Sequence, residues 1–243
     1  MGRPFVITVD LKKLGIKPGY RVLDIGCGSG RHTCAAYRFK KVIAIGADLN
    51  ATELGTAKER LQLHDKWGQN GGGRWGLTMA DVNALPFKDN YFDLVVCSEV
   101  LEHIVDDRQA VGEIIRVLKP GHNLAVSVPR FWPERICWAL SKEYTQTDNG
   151  HIRIYRKKKL IALLENSGMK CWASHYAHSL HTPYWWLKCL LGPDRSDLAT
   201  VSLYHRFLTW DIIKQPYLVA CVDKLLNPIL GKSLVVYLRK NNQ

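Results

Sequence analysis

Residues 21–30 read Arg21-Val22-Leu23-Asp24-Ile25-Gly26-Cys27-Gly28-Ser29-Gly30. A short apolar run that stops at a glycine cluster is the pattern of a buried strand. Glycines at alternate positions allow a tight turn and bring bare backbone N–H groups to a helix start, where a ligand can sit. A nicotinamide-dinucleotide loop would carry glycine at the sixth position, where this chain has Arg31. An acid two residues before the first glycine suits a ligand with a cationic end better than a diphosphate.

Outward from this loop the same rhythm repeats. Apolar runs at 42–47 (ending at Asp48), 76–80, 92–98 and 123–128 predict further strands. Between them, Leu54, Ala57, Leu61 and His64 share one face of a predicted helix over 51–67. Val111, Ile114, Ile115 and Leu118 do the same over 107–118, which closes at Lys119-Pro120-Gly121. Strands alternating with helices at this spacing mean β-α-β units and a mostly parallel sheet, and strands apolar along their whole length mean a sheet covered on both faces. Residues 157–167 predict a helix, 169–176 a sixth strand and 232–239 a last one.

The 243 residues, 47% apolar and 23% charged, suit one domain with a sizeable extension and exclude a disordered or collagenous chain. No apolar run is long enough to cross a bilayer, and residues 1–5 lack a signal-peptide pattern. A soluble, cytoplasmic protein is the expectation, with peripheral contact at the inner face of a membrane as an extension of it. Seven scattered cysteines without a CxxC pair predict reduced thiols. The net charge of +12 divides into +3 over 1–128 and +9 over 129–243, so the second half has a reason to attract anions.

The loop VLDIGCGSG, Asp48 ending the second strand, Ala80-Asp81-Val82-Asn83-Ala84-Leu85-Pro86-Phe87, and FDLVVCSEVLEHI resemble, in order and spacing over 15–128, the class I S-adenosylmethionine-dependent methyltransferases. More narrowly they resemble the branch that includes many small-molecule, quinone and lipid methyltransferases. His151-Ile152-Arg153-Ile154-Tyr155 and the Lys-rich helix after it are similar to the downstream part of that branch. The resemblance implies an α/β, Rossmann-like, doubly wound sheet of seven mostly parallel strands ordered 3-2-1-4-5-7-6, with S-adenosyl-L-methionine as cofactor. Gly26, Cys27, Gly28 and Gly30 would form the bed for its methionine and ribose part. Asp24 would hold the amino-acid end, Asp48 (followed by Leu49) both ribose hydroxyls, and Asp81 with the Val82 N–H the adenine. Ser98 and Glu99 would lie beside the methyl group. The chain then reads as a single methyltransferase domain over 1–243. Its cofactor-binding half is 15–128, with substrate-side extensions at 129–155 and 177–231 and a returning strand at 232–239. Many relatives lid the site with N-terminal helices, but only 23 residues precede Asp24 here; a helical, aromatic lid is therefore expected from the two later extensions.

Those extensions carry Trp132, Tyr144, His181, Tyr184 and Trp185, which with Glu99 are the candidate substrate contacts. Aromatic faces can hold a sulfonium charge or line an apolar pocket, and they can equally be the core of a lid. If the acceptor is O–H or N–H a general base is useful; His103, His151 and His178 are the candidates, although His103 also reads as a packing residue near the cofactor. Cys171, His175, His178 and His181 fit neither one helix face nor one strand face, so no metal is assigned. Three functions follow. The first is a methyltransferase for a small, apolar or amphipathic acceptor (lipid, quinone or isoprenoid-like), with residues 184–191 touching an anionic membrane interface. The second is a tRNA or rRNA methyltransferase, disfavoured because the fourth strand ends Cys97-Ser98-Glu99-Val100 and not in an Asn/Asp-Pro-Pro-aromatic signature. The third is a non-catalytic cofactor-fold subunit, disfavoured by the intact acids and glycines. Acceptor atom and oligomeric state stay open in the sequence.

Overall fold

A computed structural model describes residues 7–145, 150–192, 195 and 198–242. β1 (Arg21–Ile25) is followed by α1 (Arg31–Tyr37), β2 (Ile43–Asp48), α2 (Ala51–Lys66), β3 (Arg74–Met79), β4 (Phe92–Ser98) and α3 (Asp107–Val117). β5 (Leu118–Pro129) leads into α4 (Phe131–Leu140) and α5 (Lys142–Thr145); then come α6 (Lys157–Glu165), β6 (Met169–Ala177), α7 (His181–Leu191), α8 (Ala199–Lys214), α9 (Tyr217–Leu230) and β7 (Ser233–Lys240). A 3-10 turn, Leu101–His103, follows β4.

The seven strands form one sheet in the order β3-β2-β1-β4-β5-β7-β6. All pairs through β5 are parallel, and β7 runs antiparallel between β5 and β6. β4 is buried at every position because helices cover both faces. α3 and α6 press Val111, Ile114, Leu160 and Leu164 onto one face, while Val9, Leu11, Cys34 and Leu61 cover the other. Side chains cap the helices that start near the strand tips: Asn50 accepts from the N–H groups of Thr52 and Glu53 at the start of α2, and Asp106 from that of Gln109 at α3.

One expected boundary moves. β5 begins at Leu118, because Phe92 already pairs with Leu118 before an irregular step in register brings Leu94 opposite Asn123. The extension after β5 contains ordered helix, α4, which leaves the carboxyl end of the strand and packs on α7. The second extension is the three helices α7 to α9. Both extensions therefore leave the sheet at the carboxyl ends of β5 and β6, the end where ligands bind in an open parallel sheet.

Candidate active site

Gly26, Gly28 and Gly30 all have positive φ, at 62°, 48° and 80°, a region that side-chain-bearing residues rarely enter. A Cβ on Gly26 would fall inside the Val100 side chain, and one on Gly30 would sit 3.0 Å from Ala57 Cβ. The loop is thus a bare cradle wedged between the end of β4 and α2. Asp48 shapes it: the Gly28 N–H donates to Oδ2 at 2.7 Å and the Asn50 N–H to Oδ1 at 2.8 Å. Each carboxylate oxygen has a second acceptor position, so a two-pronged hold on vicinal hydroxyls remains open.

Asp24 is 2% exposed. Its Oδ2 accepts the N–H and the hydroxyl of Thr33 at 2.8 and 2.7 Å, while Oδ1 has no partner. Burial pushes its pKa up to about 6 against the pull of Thr33 and Arg31. A buried oxygen left without a donor is a seat for one. Beside the loop opens a cavity of about 890 Å³, lined by Asp48, Leu49, Asn50, Glu53, His103 and Ile152 among others. At the tips of β2 and β3, Leu49 and Met79 are 61% and 65% exposed, apolar side chains open to a ligand. Asp81 stands one strand over, exposed, with Oδ1 accepting the Asn83 N–H at 2.8 Å.

Three further expected ligands are set in their surroundings as follows. The Val82 side chain belongs to the core, which leaves the backbone N–H expected of it, and the Cys27 side chain is buried beside Gly46, so it too can offer only backbone to a ligand. The Ser98 hydroxyl pairs with Ser127 Oγ at 2.7 Å, and Ser127 donates to Glu99 Oε1 at 3.0 Å. Ser98 is thus a link in a buried chain that ends on Glu99. Glu99 itself is held at φ 57°, strained for a residue of its size.

Beyond β4 lies a cluster that the sequence signalled only in part. Glu102 and Glu134 are buried, and Glu99 reaches in beside them from a half-buried position. Burial pushes Glu99 up against the attraction of Lys232 and Ser127, and burial with repulsion from Glu99 pushes Glu102 well above the carboxylate range. Burial also acts on Glu134, but His151, Lys232 and Tyr144 outweigh it and hold that group below its ordinary value. His151 Nδ1 lies 2.6 Å from Glu134 Oε1, and the Tyr144 hydroxyl donates to Oε2 at 3.4 Å. The His103 and His151 rings meet edge-on, with centroids 4.9 Å apart. The first extension therefore does close over the end of β4. Glu134 had no sequence signal beyond a charge inside the apolar run of α4, and Lys232 none beyond its place before the last strand.

His178 does not join His103 and His151. It pairs with His181, ring centroids 5.4 Å apart, and its Nε2 meets Thr8 Oγ1 at 3.0 Å. Burial drives His178 down to about 3 and His181 to about 4, so neither ring carries charge at neutral pH. His178 is a packing residue between the N-terminal segment and β6. Trp185 stands 5.9 Å from Tyr144 and under the Lys232 ammonium at 4.5 Å, and Trp132 packs on Trp186 at 5.5 Å. Tyr184 turns to Tyr204 and His205 instead. Among the substrate candidates, Glu99, Tyr144 and Trp185 share the cluster; Tyr184 touches it only through Trp185, and His181 pairs with His178.

The sheet order, the bare cradle and the acids at adjoining strand tips define a Rossmann-like nucleoside-binding fold of the methyltransferase class. Residues 23–126 match the family model described as a methyltransferase domain, and the chain carries that domain. It is 30% identical over 196 residues to cycloartenol-C-24-methyltransferase 1 of Oryza sativa subsp. japonica, covering 79% of this chain and 55% of the relative. It is 34% identical over 147 residues to the ubiquinone/menaquinone biosynthesis C-methyltransferase UbiE of Erwinia tasmaniensis, covering 56% and 51%. The chain thus spans about half the length of the curated relatives it matches. Among solved structures, the YcgJ protein of Bacillus subtilis superposes with a TM-score of 0.62 at 18% identity, covering 96% of this chain and 97% of that one. The cyclase SpnF does so with 0.61 at 18%, covering 96% and 79%. These two likenesses show the fold alone.

The family implies S-adenosylmethionine, and the residues present fit it. The cradle admits no Cβ at Gly26, the free Asp24 oxygen can take an ammonium, and Leu49 offers an apolar face at the strand tips.

Proposed function

We propose that the protein transfers a methyl group from S-adenosylmethionine to a lipid-like acceptor taken from an anionic membrane surface. The observation that carries the reading is the group of Glu99, Glu102, His103, Glu134 and His151, seated between the cofactor cradle and an aromatic lid. Bound in the cradle, S-adenosylmethionine supplies an activated methyl group. The chain's task is alignment, because holding two reactants in line is worth on the order of 7–11 kcal/mol. Asp24 and Asp48 fix one partner. Trp185, Tyr144 and the acids behind them shape the place of the other and exclude water from it. An acceptor that gains a methyl must shed a proton, and His103 and His151 stand where that proton can be received, with Glu134 holding His151 in orientation.

The lipid-like acceptor is supported by the relatives named for carbon methylation of cycloartenol and in ubiquinone/menaquinone biosynthesis. It is supported independently by α9, which is built inside out. Its polar side chains face the protein: Asn227 Oδ1 accepts the Ser179 N–H at 2.9 Å and Asp223 Oδ1 the Ser179 hydroxyl at 2.8 Å. Leu218, Val222, Leu225 and Ile229, one helical stripe, are 47–77% exposed. α8 adds Leu203, Phe207, Trp210 and Ile213. An apolar face of this extent, in the half of the chain that carries +9, suits the boundary of an anionic bilayer. α7, expected to touch the interface, exposes only Leu190 among its large apolar side chains. No described helix is long and apolar enough to cross a membrane. An RNA substrate would ask for a cationic stripe where this face is apolar.

The test is incubation with methyl-labelled cofactor and either a total lipid extract or total RNA, with Asp48→Ala as the blank. Label in an organic-phase product is expected; label in RNA alone, or in neither, overturns the reading.

A further inference from the structure

Glu102 is fully buried, and neither of its oxygens has a hydrogen-bond partner; beyond its own backbone N–H nothing donates to it. A buried carboxyl in that condition needs an explanation. One ligand atom each from Glu102, His103 and His151 lies within 4.8 Å of the others. The two imidazoles are already oriented from behind. His103 Nδ1 faces the Gly150 carbonyl at 3.3 Å, and His151 Nδ1 faces Glu134 Oε1 at 2.6 Å. Such partners fix the proton on Nδ1 and leave the Nε2 lone pair free on each ring, the arrangement found behind metal-bound histidines. His103 Nε2 stands 3.9 Å from Glu102 Oε1.

We propose that Glu102, His103 and His151 form a site for a divalent transition-metal ion at the end of β4, beside the cofactor cavity. Two imidazoles and one carboxylate suit Zn²⁺, Mn²⁺ or Fe²⁺ better than Ca²⁺ or Mg²⁺. Ligand atoms about 2.1 Å from a tetrahedral ion are about 3.4 Å from one another, so the gap from His103 to Glu102 closes by a small side-chain rotation. The charge balance points the same way. Three clustered carboxyls face Lys232 as the ammonium whose field reaches all of them. His103 lines the open cavity, which gives the ion an entry path and leaves a coordination position for an exogenous oxygen. Binding of the ion stands independently of the proposed methyl transfer; only its use rests on that reading: with the ion bound, both Nε2 lone pairs are its ligands, so an acceptor oxygen held on it would lose its proton to water in the open cavity, and direct proton transfer to His103 or His151 belongs to the metal-free chain.

The experiment titrates chelator-stripped full-length protein with Zn²⁺ alone and with Mn²⁺ alone, by calorimetry, without cofactor or acceptor. One ion per chain and a rise in melting temperature are expected, with Zn²⁺ tighter than Mn²⁺. Glu102→Gln and His151→Asn should each weaken binding at least tenfold, and Glu134→Gln about 10–100-fold by releasing the ring it orients. His178→Asn should change nothing. His103→Asn, at a half-exposed position, serves if a buried variant fails to fold. Co²⁺ bound in place of Zn²⁺ should give visible ligand-field bands. No bound ion, or binding that survives the Glu102→Gln/His151→Asn double change, overturns the site. Because the readout needs no turnover, a failed metal site and a failed methyltransferase reading give different results.

Discussion

Replacing Asp24 by asparagine isolates a single electrostatic cost. In the folded chain this carboxyl is fully buried and its pKa stands at about 6, against an ordinary 3.8. A tenfold change in proton affinity corresponds to about 1.4 kcal/mol, so ionising Asp24 within the fold costs about 3 kcal/mol relative to water. A raised acid pKa means that the folded state binds more protons than the unfolded one between about pH 4 and 6. Stability therefore falls as pH rises through that window and stays level above it. The Asp24→Asn side chain would keep an acceptor for Thr33 but cannot ionise. Urea unfolding of both proteins from pH 4 to pH 7.5 should show the wild type losing about 2.5 kcal/mol relative to the variant as pH rises. The same change should weaken S-adenosylmethionine binding at least tenfold, because the free oxygen no longer carries charge toward an ammonium. Parallel stability curves for the two proteins at all pH values would refute the assignment of an unpaired, buried acid.

Gly26→Ala forces a methyl group into Val100 at a φ that alanine avoids, so a loss of about 1–3 kcal/mol in thermal unfolding is expected, together with weakened cofactor binding in titration. Ser98→Ala removes one buried hydroxyl contact with Ser127 and should cost about 1 kcal/mol of stability while leaving cofactor affinity unchanged; a large loss of affinity would return Ser98 to the ligand set. Leu218→Asp combined with Leu225→Asp, both on the outward face of α9, should abolish sedimentation with phosphatidylglycerol vesicles without lowering the melting temperature; unchanged sedimentation would remove α9 from the membrane reading.

What the sequence shows best is what the backbone itself enforces. β1 and β4 run over the residues expected, since each is a bounded apolar run with one solution in a covered parallel sheet. The glycine loop was legible because residue type reports backbone freedom directly, and the structure adds why each glycine is needed. Side-chain gatherings from distant segments were not legible. Glu102, Glu134 and Lys232 meet only after the chain has folded around β5 and back through β7, and Glu134 looks in sequence like one charge on an amphipathic helix. α9 misleads in the opposite sense. Its apolar stripe has the period of a buried face, yet Asp223 and Asn227 are the inner side, bonded to the turn before α7. His178 is a reasonable base by residue type, but its Nε2 is engaged by Thr8 and burial lowers its affinity for a proton.

The claim beneath all of this is that the glycine cradle and the acids around it grip an S-adenosyl nucleoside. Calorimetric titration of the purified chain with S-adenosylmethionine should give one site per chain with a dissociation constant in the micromolar range, lost in Asp48→Ala. Heat no different from dilution at millimolar ligand, or equal affinity in that variant, would contradict it.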